Sequence, residues 1–201
     1  MTGRRVGLTG GIASGKSAVS GLLHDLGATI VDADALAREV VAPGTSGLAE
    51  IERDFGSEVL AADGSLDRPA MARVVFDDPT ARQRLEAVIH PRVRARAAEI
   101  EAEARALDPS AVVVHDVPLL VETGQQGAYD LVVVVDVPTE VQLERLVSLR
   151  GMARGEAQAR VAAQASRQAR LDAADVVIDN SGTLDDLARR VRQVWAEHLA
   201  C

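Results

Sequence analysis

Gly10-Gly11-Ile12-Ala13-Ser14-Gly15-Lys16-Ser17 lies between a short apolar run, Arg4 to Thr9, and an apolar-periodic stretch from Lys16 to Leu26. The octet fits G-x-x-x-x-G-K-[ST], and its context is the one this pattern requires, a strand before it and a helix after it. Glycines let the backbone wrap so that successive N–H groups face one phosphate-sized hollow, and the helix start adds positive potential. Lys16 then reaches the β- and γ-phosphates as a compact charge, and the Ser17 hydroxyl is a ligand for Mg2+. Of 22 basic residues, Lys16 is the one lysine. A chain that uses arginine everywhere else keeps an ammonium where a planar guanidinium does not fit.

Outward from this loop the chain alternates strand and helix. Gly27 stops the first helix. Thr29 to Asp32 reads as a second strand, and Ala33 to Val41 as a helix that ends before Pro43-Gly44. From Thr45 to Leu107 the pattern is helix after helix, with expected breaks at Asp63-Gly64, Arg68-Pro69, Asp78-Pro79 and His90-Pro91. Val112 to Val114 and Leu131 to Val135 are continuous β-branched or aliphatic runs, as in strands buried on both faces of a parallel sheet. Helices are expected from Thr139 to Arg150 and from Gly155 to Leu171, a fifth strand at Val176 to Ile178, and a closing helix from Leu184 to Leu199. This order predicts an α/β P-loop fold whose five-stranded parallel sheet is flanked by helices. Residues 1–44, 108–138 and 172–201 are the expected nucleotide-binding core. Residues 45–107 form a helical insertion, and 139–171 an Arg-rich lid.

Composition excludes several classes. The chain has 201 residues, 47% hydrophobic and 26% charged, which suits a globular protein with a substantial core rather than a disordered one. Its longest aliphatic stretch, Leu131 to Val135, is far below the ~20 residues that cross a bilayer. The apolar stretch after Arg4-Arg5 breaks at once into Thr9-Gly10-Gly11, so no secretory leader is expected. Cys201 is the single cysteine, which rules out an intrachain disulfide and fits a reducing cytoplasm. The net charge of −8 argues against non-specific binding to nucleic acid or anionic membranes. Phe55, Phe76, Tyr129 and Trp195 are too few aromatics for a base-stacking surface. No protein partner is implied.

The remaining motifs narrow the chemistry. GTPases read guanine through N-K-x-D; the one asparagine, Asn180, is followed by Ser181-Gly182, so that reading fails. A small kinase leads. Its acceptor hydroxyl needs a base, and Asp32-Ala33-Asp34 places two carboxylates at the end of the second strand, where open α/β folds bind ligands. Asp34 is the expected base. Asp32 reads first as a contact to the acceptor, with the N-cap of the next helix as the alternative. In His115-Asp116-Val117-Pro118-Leu119-Leu120-Val121-Glu122, Asp116 ends a strand and suits Mg2+, Pro118 stiffens the turn, and Leu119-Leu120 reads as a substrate wall or as core. Arg145 and Arg150 are the lid arginines expected to meet phosphoryl charge. His90 and Arg92, beside the expected break at Pro91, are placed to line an acceptor pocket.

Assembled, these blocks resemble the dephospho-coenzyme A kinase family along essentially the whole chain. The matching segments are Leu8 to Ile12 running into Gly15-Lys16-Ser17, Val31 to Asp34 with Ala37 to Val41, Pro43-Gly44, and His90-Pro91. They continue with Asp116 to Glu122, Arg150-Gly151-Met152, Arg160 to Gln164, and Ala174 to Gly182. The resemblance implies ATP-dependent phosphorylation of the ribose 3′-hydroxyl of dephospho-CoA, with ATP and Mg2+ as the cofactors. It implies Asp34 as base, with Lys16 and Arg145 stabilising transferred charge. Nucleotide contacts fall to Gly11, Ile12, Ala13, Ser14, Gly15, Lys16, Ser17, Ala18, Arg150 and Asn180, the last near adenine. Acceptor contacts fall to Thr9, Asp32, His90, Arg92, Pro118, Leu119, Leu120 and Glu122, and metal ligation to Ser17 and Asp116. The helical insertion becomes the CoA-binding part. Ala13 stands where the family often has glycine, and φ < 0 is expected there, since a methyl group strains the left-handed region. Two rivals remain: a shikimate-type kinase, whose compact acceptor needs no long insertion, and a nucleotide-driven switch, which needs only the loop.

Overall fold

The computed structural model describes residues 3–200, and Cys201 lies outside the described residues. β1 (Arg5–Gly10) sits at the centre of a five-stranded sheet, between β3 (Val113–Asp116) and β4 (Leu131–Asp136), both parallel to it. β5 (Val176–Asp179) pairs in parallel with β4, and β2 (Thr29–Asp32) lies beyond β3, giving the order β2-β3-β1-β4-β5. The connection from β1 runs to β2 at one edge, and that from β3 crosses β1 to β4 on the other side, so the strand order reverses beside the carboxyl end of β1. Ligands of open α/β sheets bind at such a switch point.

The β-branched runs do what their composition dictates. Val6, Leu8, Val114, Val133, Val135 and Ile178 meet Val19 and Leu23 of α1 (Lys16–Asp25) and Leu187 and Val191 of α9 (Leu184–Val194). The alternate residues Val132 and Val134 pack with Leu120 in a second cluster. Both faces are covered, which is why these strands read as unbroken apolar runs. No helix among the described residues is long and apolar enough to cross a membrane.

The chain divides into two compact units, residues 1–31 with 103–201, and residues 32–102. The second unit holds α2 (Ala33–Glu39), α3 (Ser46–Phe55), α4 (Arg68–Phe76) and most of α5 (Pro79–Leu107). Its starts are set by side-chain caps: Asp32 accepts from Ala35 N–H, Thr45 from Leu48 N–H, and Asp67 from Ala70 N–H. Its own core joins Val41, Ile51, Phe55, Val59, Met71, Ala81 and Val88.

Three expectations need correction. His90-Pro91 does not break the insertion helix; α5 runs unbroken through Pro91. Proline removes the donor for the Ala87 carbonyl and crowds that turn, yet the helix continues through it; Arg92 Nη1 donates to the neighbouring Val88 carbonyl at 2.8 Å. The expected helix from Gly155 to Leu171 is two, α7 (Arg154–Ala162) and α8 (Arg167–Asp172), with Ser166 capping the second by accepting from Ala169 N–H. The closing helix ends as α-helix at Val194, and Trp195–Leu199 continues as a π-helical turn. α6 (Thr139–Arg150) has its expected bounds and closes on Gly151 in the left-handed conformation.

Candidate active site

The loop between β1 and α1 is built by backbone geometry that two glycines make possible. Gly15 has φ +92°, and a β-carbon there would also collide with Asn180 Nδ2. At Gly11 a β-carbon would collide with Gln142 Nε2 and lie 2.8 Å from Arg170 Nη2. Gly15 is strained for any side chain, whereas a side chain at Gly11 would have to displace the ends of Gln142 and Arg170.

Ala13 corrects the expectation of φ < 0: its φ is +59°, and it is the one non-glycine residue with positive φ among those described. Ser14 N–H donates to the Gly11 carbonyl at 3.0 Å, closing a four-residue turn in which Ala13 is the third residue. With positive φ there but not at Ile12, the turn has the type II pattern, whose third position favours glycine. The turn overrides the preference of the alanine methyl.

Side chains from three later segments hold this loop. Gln142 of α6 is buried and donates to the Ile12 carbonyl at 2.7 Å, while Ile12 N–H donates to Gln164 Oε1 at 2.7 Å. Arg145 Nη1 donates to the carbonyls of Ala13 (3.2 Å) and Ser14 (3.3 Å), and its Nη2 to the Asn180 carbonyl at 2.7 Å. Asn180 Nδ2 donates to the Ser14 carbonyl at 2.7 Å. Arg145 thus stands on the carbonyl side of the loop. Arg150 is exposed in the last turn of α6, and Ser17 and Ala18 are exposed at the start of α1.

Lys16 Nζ pairs with Asp116 at the end of β3, where Asp116 is 5% exposed. β4 and β5 also end in aspartates. Asp136 takes a bidentate pair from Arg167, with Nη2 to Oδ2 at 2.6 Å. Asp179 is held below the usual carboxylate range, first by the Ser181 side-chain hydrogen bond and further by Arg190 at 3.2 Å. Each of these three carboxylates, Asp116, Asp136 and Asp179, is paired with a cation of its own.

The expected acceptor contacts divide. Thr9 is buried, and its hydroxyl donates to the Pro118 carbonyl at 3.3 Å. Pro118 is half-buried and Leu119 exposed. Leu120 is 0% exposed and packs with Val132 and Val134, so as a wall for a ligand it is corrected to core. Glu122 accepts from Ala165 N–H at 2.9 Å. In the second unit, Asp32 caps α2 and Asp34 lies exposed in its first turn. His90 is exposed on α5, and Arg92 donates to Glu50 at 2.6 Å.

Sequence reasoning missed Gln142 and Gln164, and held Arg170 only as one of a run of lid arginines, with Arg154, Arg160 and Arg167. Gln164 and Arg170 lay within an arginine- and alanine-rich run read as continuous helix. The signal available was Ser166, a capping residue inside that run.

The dephospho-CoA kinase family matches residues 4–186. The chain is 57% identical over 193 residues to a dephospho-CoA kinase of Streptomyces avermitilis, covering 96% of this chain and 93% of that one. Among solved structures it resembles TT1252 from Thermus thermophilus, at 36% identity and TM-score 0.82, covering 98% of this chain and 99% of the other. It also resembles dephospho-CoA kinase from Campylobacter jejuni, at 26% identity and TM-score 0.71 over 96% of each chain.

Proposed function

Because the chain belongs to the dephospho-CoA kinase family, we propose that Asp34 takes the proton of the acceptor hydroxyl while Lys16 and Arg145 meet the charge of the moving phosphoryl group. The enzyme catalyses ATP-dependent phosphorylation of dephospho-CoA, a step of coenzyme A biosynthesis. The acceptor atom in this reading is the ribose 3′-oxygen, and the enzyme works in the cytoplasm.

The observation that carries the assignment of roles is the Lys16–Asp116 pair beside the glycine loop. An ammonium held at that place is ready to exchange one partner for the β- and γ-oxygens of a triphosphate. The Ser17 hydroxyl and the Asp116 carboxylate are hard oxygen donors, two in number, and fit Mg2+, which takes its other ligands from phosphates and water. When bound, the ion neutralises phosphate charge and helps to align the transfer. Arg145 contributes charge from the carbonyl side of the loop and keeps the N–H side open by bracing Ala13 and Ser14. Asn180, braced by the same guanidinium, lies on the adenine side. Ser14 to Ala18 contact the phosphates through the wrapped backbone, and Arg150 closes over them. The second unit supplies Asp34 and the acceptor contacts Asp32, His90 and Arg92; the first unit supplies Thr9 of β1 and Pro118, Leu119 and Glu122 of the segment after β3.

Two measurements test this reading. Lys16→Ala and Asp34→Asn each lower turnover by at least ~100-fold, the scale of losing a charge stabiliser or a general base. Near-full turnover in Asp34→Asn removes that carboxylate from the mechanism. Phosphorus NMR of the product shows a 3′-phosphomonoester, and a phosphate elsewhere on the acceptor overturns the assignment of the hydroxyl.

A further inference from the structure

α2 is seated by one side of its surface only. Leu36 is 4% exposed, and Val40, four residues on, packs against the core of the second unit. Helical periodicity turns the residues two before and two after Leu36 to the opposite side. These are Asp34 and Arg38, and both are exposed. At four residues' spacing their β-carbons lie about 5–6 Å apart along one face.

An acid four residues before a base on a helix ordinarily closes into an ion pair. Here it does not: among the described residues, neither the Asp34 nor the Arg38 side chain has a hydrogen-bond or ion-pair partner. The charges around them are already paired. Glu39 accepts from Arg96 of α5 at 2.9 Å, Arg96 also reaches Glu99 at 3.1 Å, and Arg92 meets Glu50 at 2.6 Å. The Glu39–Arg96 pair ties the last turn of α2 to α5. The Val40 carbonyl then lies so close to Gly47 that a β-carbon there would collide with it. The turn that carries Arg38 is thus fixed, while its guanidinium is left open to solvent. A cation in a last turn also suits the helix dipole, but that role prescribes neither a face nor a guanidinium.

Dephospho-CoA carries its charge in one place, the diphosphate that joins the ribose 5′-carbon to the pantetheine arm. That group is only a few bonds from the 3′-hydroxyl of the same sugar. Resting on the reading of Asp34 as the base, we propose that Arg38 binds the diphosphate of dephospho-CoA and so aims the ribose hydroxyl at Asp34. The planar fork of the guanidinium donates paired hydrogen bonds to phosphate oxygens. With both side chains on one pinned turn, the anion fixes the sugar and the sugar presents its hydroxyl to the carboxylate. The same contact selects the acceptor, because a nucleoside without the diphosphate leaves the guanidinium unused.

Arg38→Gln keeps a donor and removes the charge; Arg38→Lys keeps the charge and loses the fork. At saturating ATP, Arg38→Gln is expected to raise the KM for dephospho-CoA by about 10–100-fold, the scale of losing a charge-assisted hydrogen bond. The KM for ATP stays within about threefold of the parent. Arg38→Lys falls between the two. Calorimetry of dephospho-CoA binding shows the same ranking, and its salt dependence becomes shallower in Arg38→Gln because one charge contact is gone. This loss of affinity recurs in the Asp34→Asn background, so the binding arm stands or falls apart from the base assignment. Full turnover in Asp34→Asn alone would remove the base and leave the arginine's role to the calorimetry. The proposal is overturned if Arg38→Gln keeps the KM for dephospho-CoA within about threefold, or keeps the parent's salt dependence. It is equally overturned if the loss falls on kcat alone, the mark of an effect through Asp34, or if affinity and thermal midpoint fall together in both variants, the mark of a brace for α2.

Discussion

Ala13 concentrates a conflict between chemistry and position in a single methyl group. Its φ of +59° lies in the left-handed region, which costs an L-residue other than glycine about 1–2 kcal/mol. The loop accepts that cost because the Gly11–Ser14 turn and the bonds from Arg145 to the Ala13 and Ser14 carbonyls fix the chain on both sides. Ala13→Gly relieves the strain but adds freedom to the unfolded chain, about 0.4–1 kcal/mol in the opposite sense. The balance is a small gain, below about 1 kcal/mol, in denaturant unfolding. Ala13→Val adds a second branch where even one is unfavourable, and is expected to cost about 1–3 kcal/mol. The same melts with ADP present separate a loop effect from a general one. If the valine variant is as stable as the parent, the left-handed assignment at residue 13 is wrong.

At the scale of elements, α9 offers a test with a worked sign. Thr183 and Asp186 form a reciprocal capping box at its start. Asp186 is pulled down to about 2, first by the Thr183 side chain, then by the Thr183 backbone N–H and by Arg189. A folded-state value below the unfolded one means that the carboxylate contributes stability above the ordinary aspartate range. That contribution fades as pH falls through the ordinary range towards 2. Thr183→Ala removes the largest cause and the cap together: unfolding at pH 7 loses about 1 kcal/mol, and the fall in stability between about pH 4 and pH 2 becomes shallower. An unchanged slope sinks the assignment. Elements of this kind were largely legible in the sequence, since Thr183 and Asp186 carry their capping chemistry locally, as the strand runs carry their burial in β-branched composition. Legibility ended where a distant partner decided the outcome. Pro91 reads as a stop, yet α5 runs through it because the helix on both sides is held by packing, Val88 being buried in the second unit's core. Gln164 reads as helix, yet its side chain accepts the Ile12 N–H from a loop 152 residues away in sequence. The phosphate loop and Lys16 were plain from spacing alone; Gln142 and Arg170 were not, because burial of a polar side chain has no periodic signature.

Across the whole molecule, each unit has a buried cluster that shares no residue with the other's: Val6, Leu8 and their partners in one, Ile51, Phe55 and theirs in the other. Stability need not therefore be lost as one event, because units with separate cores can open separately. Ile51 is fully buried in α3, among Val41, Phe55, Val59 and Met71. Ile51→Ala removes three carbons and leaves a cavity, a loss of about 2–5 kcal/mol that falls on residues 32–102. No residue of the phosphate loop, nor Gln142, Arg145, Gln164 or Arg170, belongs to that unit. Calorimetry of Ile51→Ala is thus expected to show ADP bound with near-parent affinity, while turnover of dephospho-CoA falls and its KM rises, because the proposed base Asp34 and the proposed acceptor contacts His90 and Arg92 lie in the damaged part. Hydrogen exchange should accelerate in α3, α4 and α5 up to Ala102 and stay slow in β1, β3 and β4. Equal loss of ADP binding and of acceptor turnover would show that the two cores melt as one, and with that the division of labour between nucleotide and acceptor halves would fail.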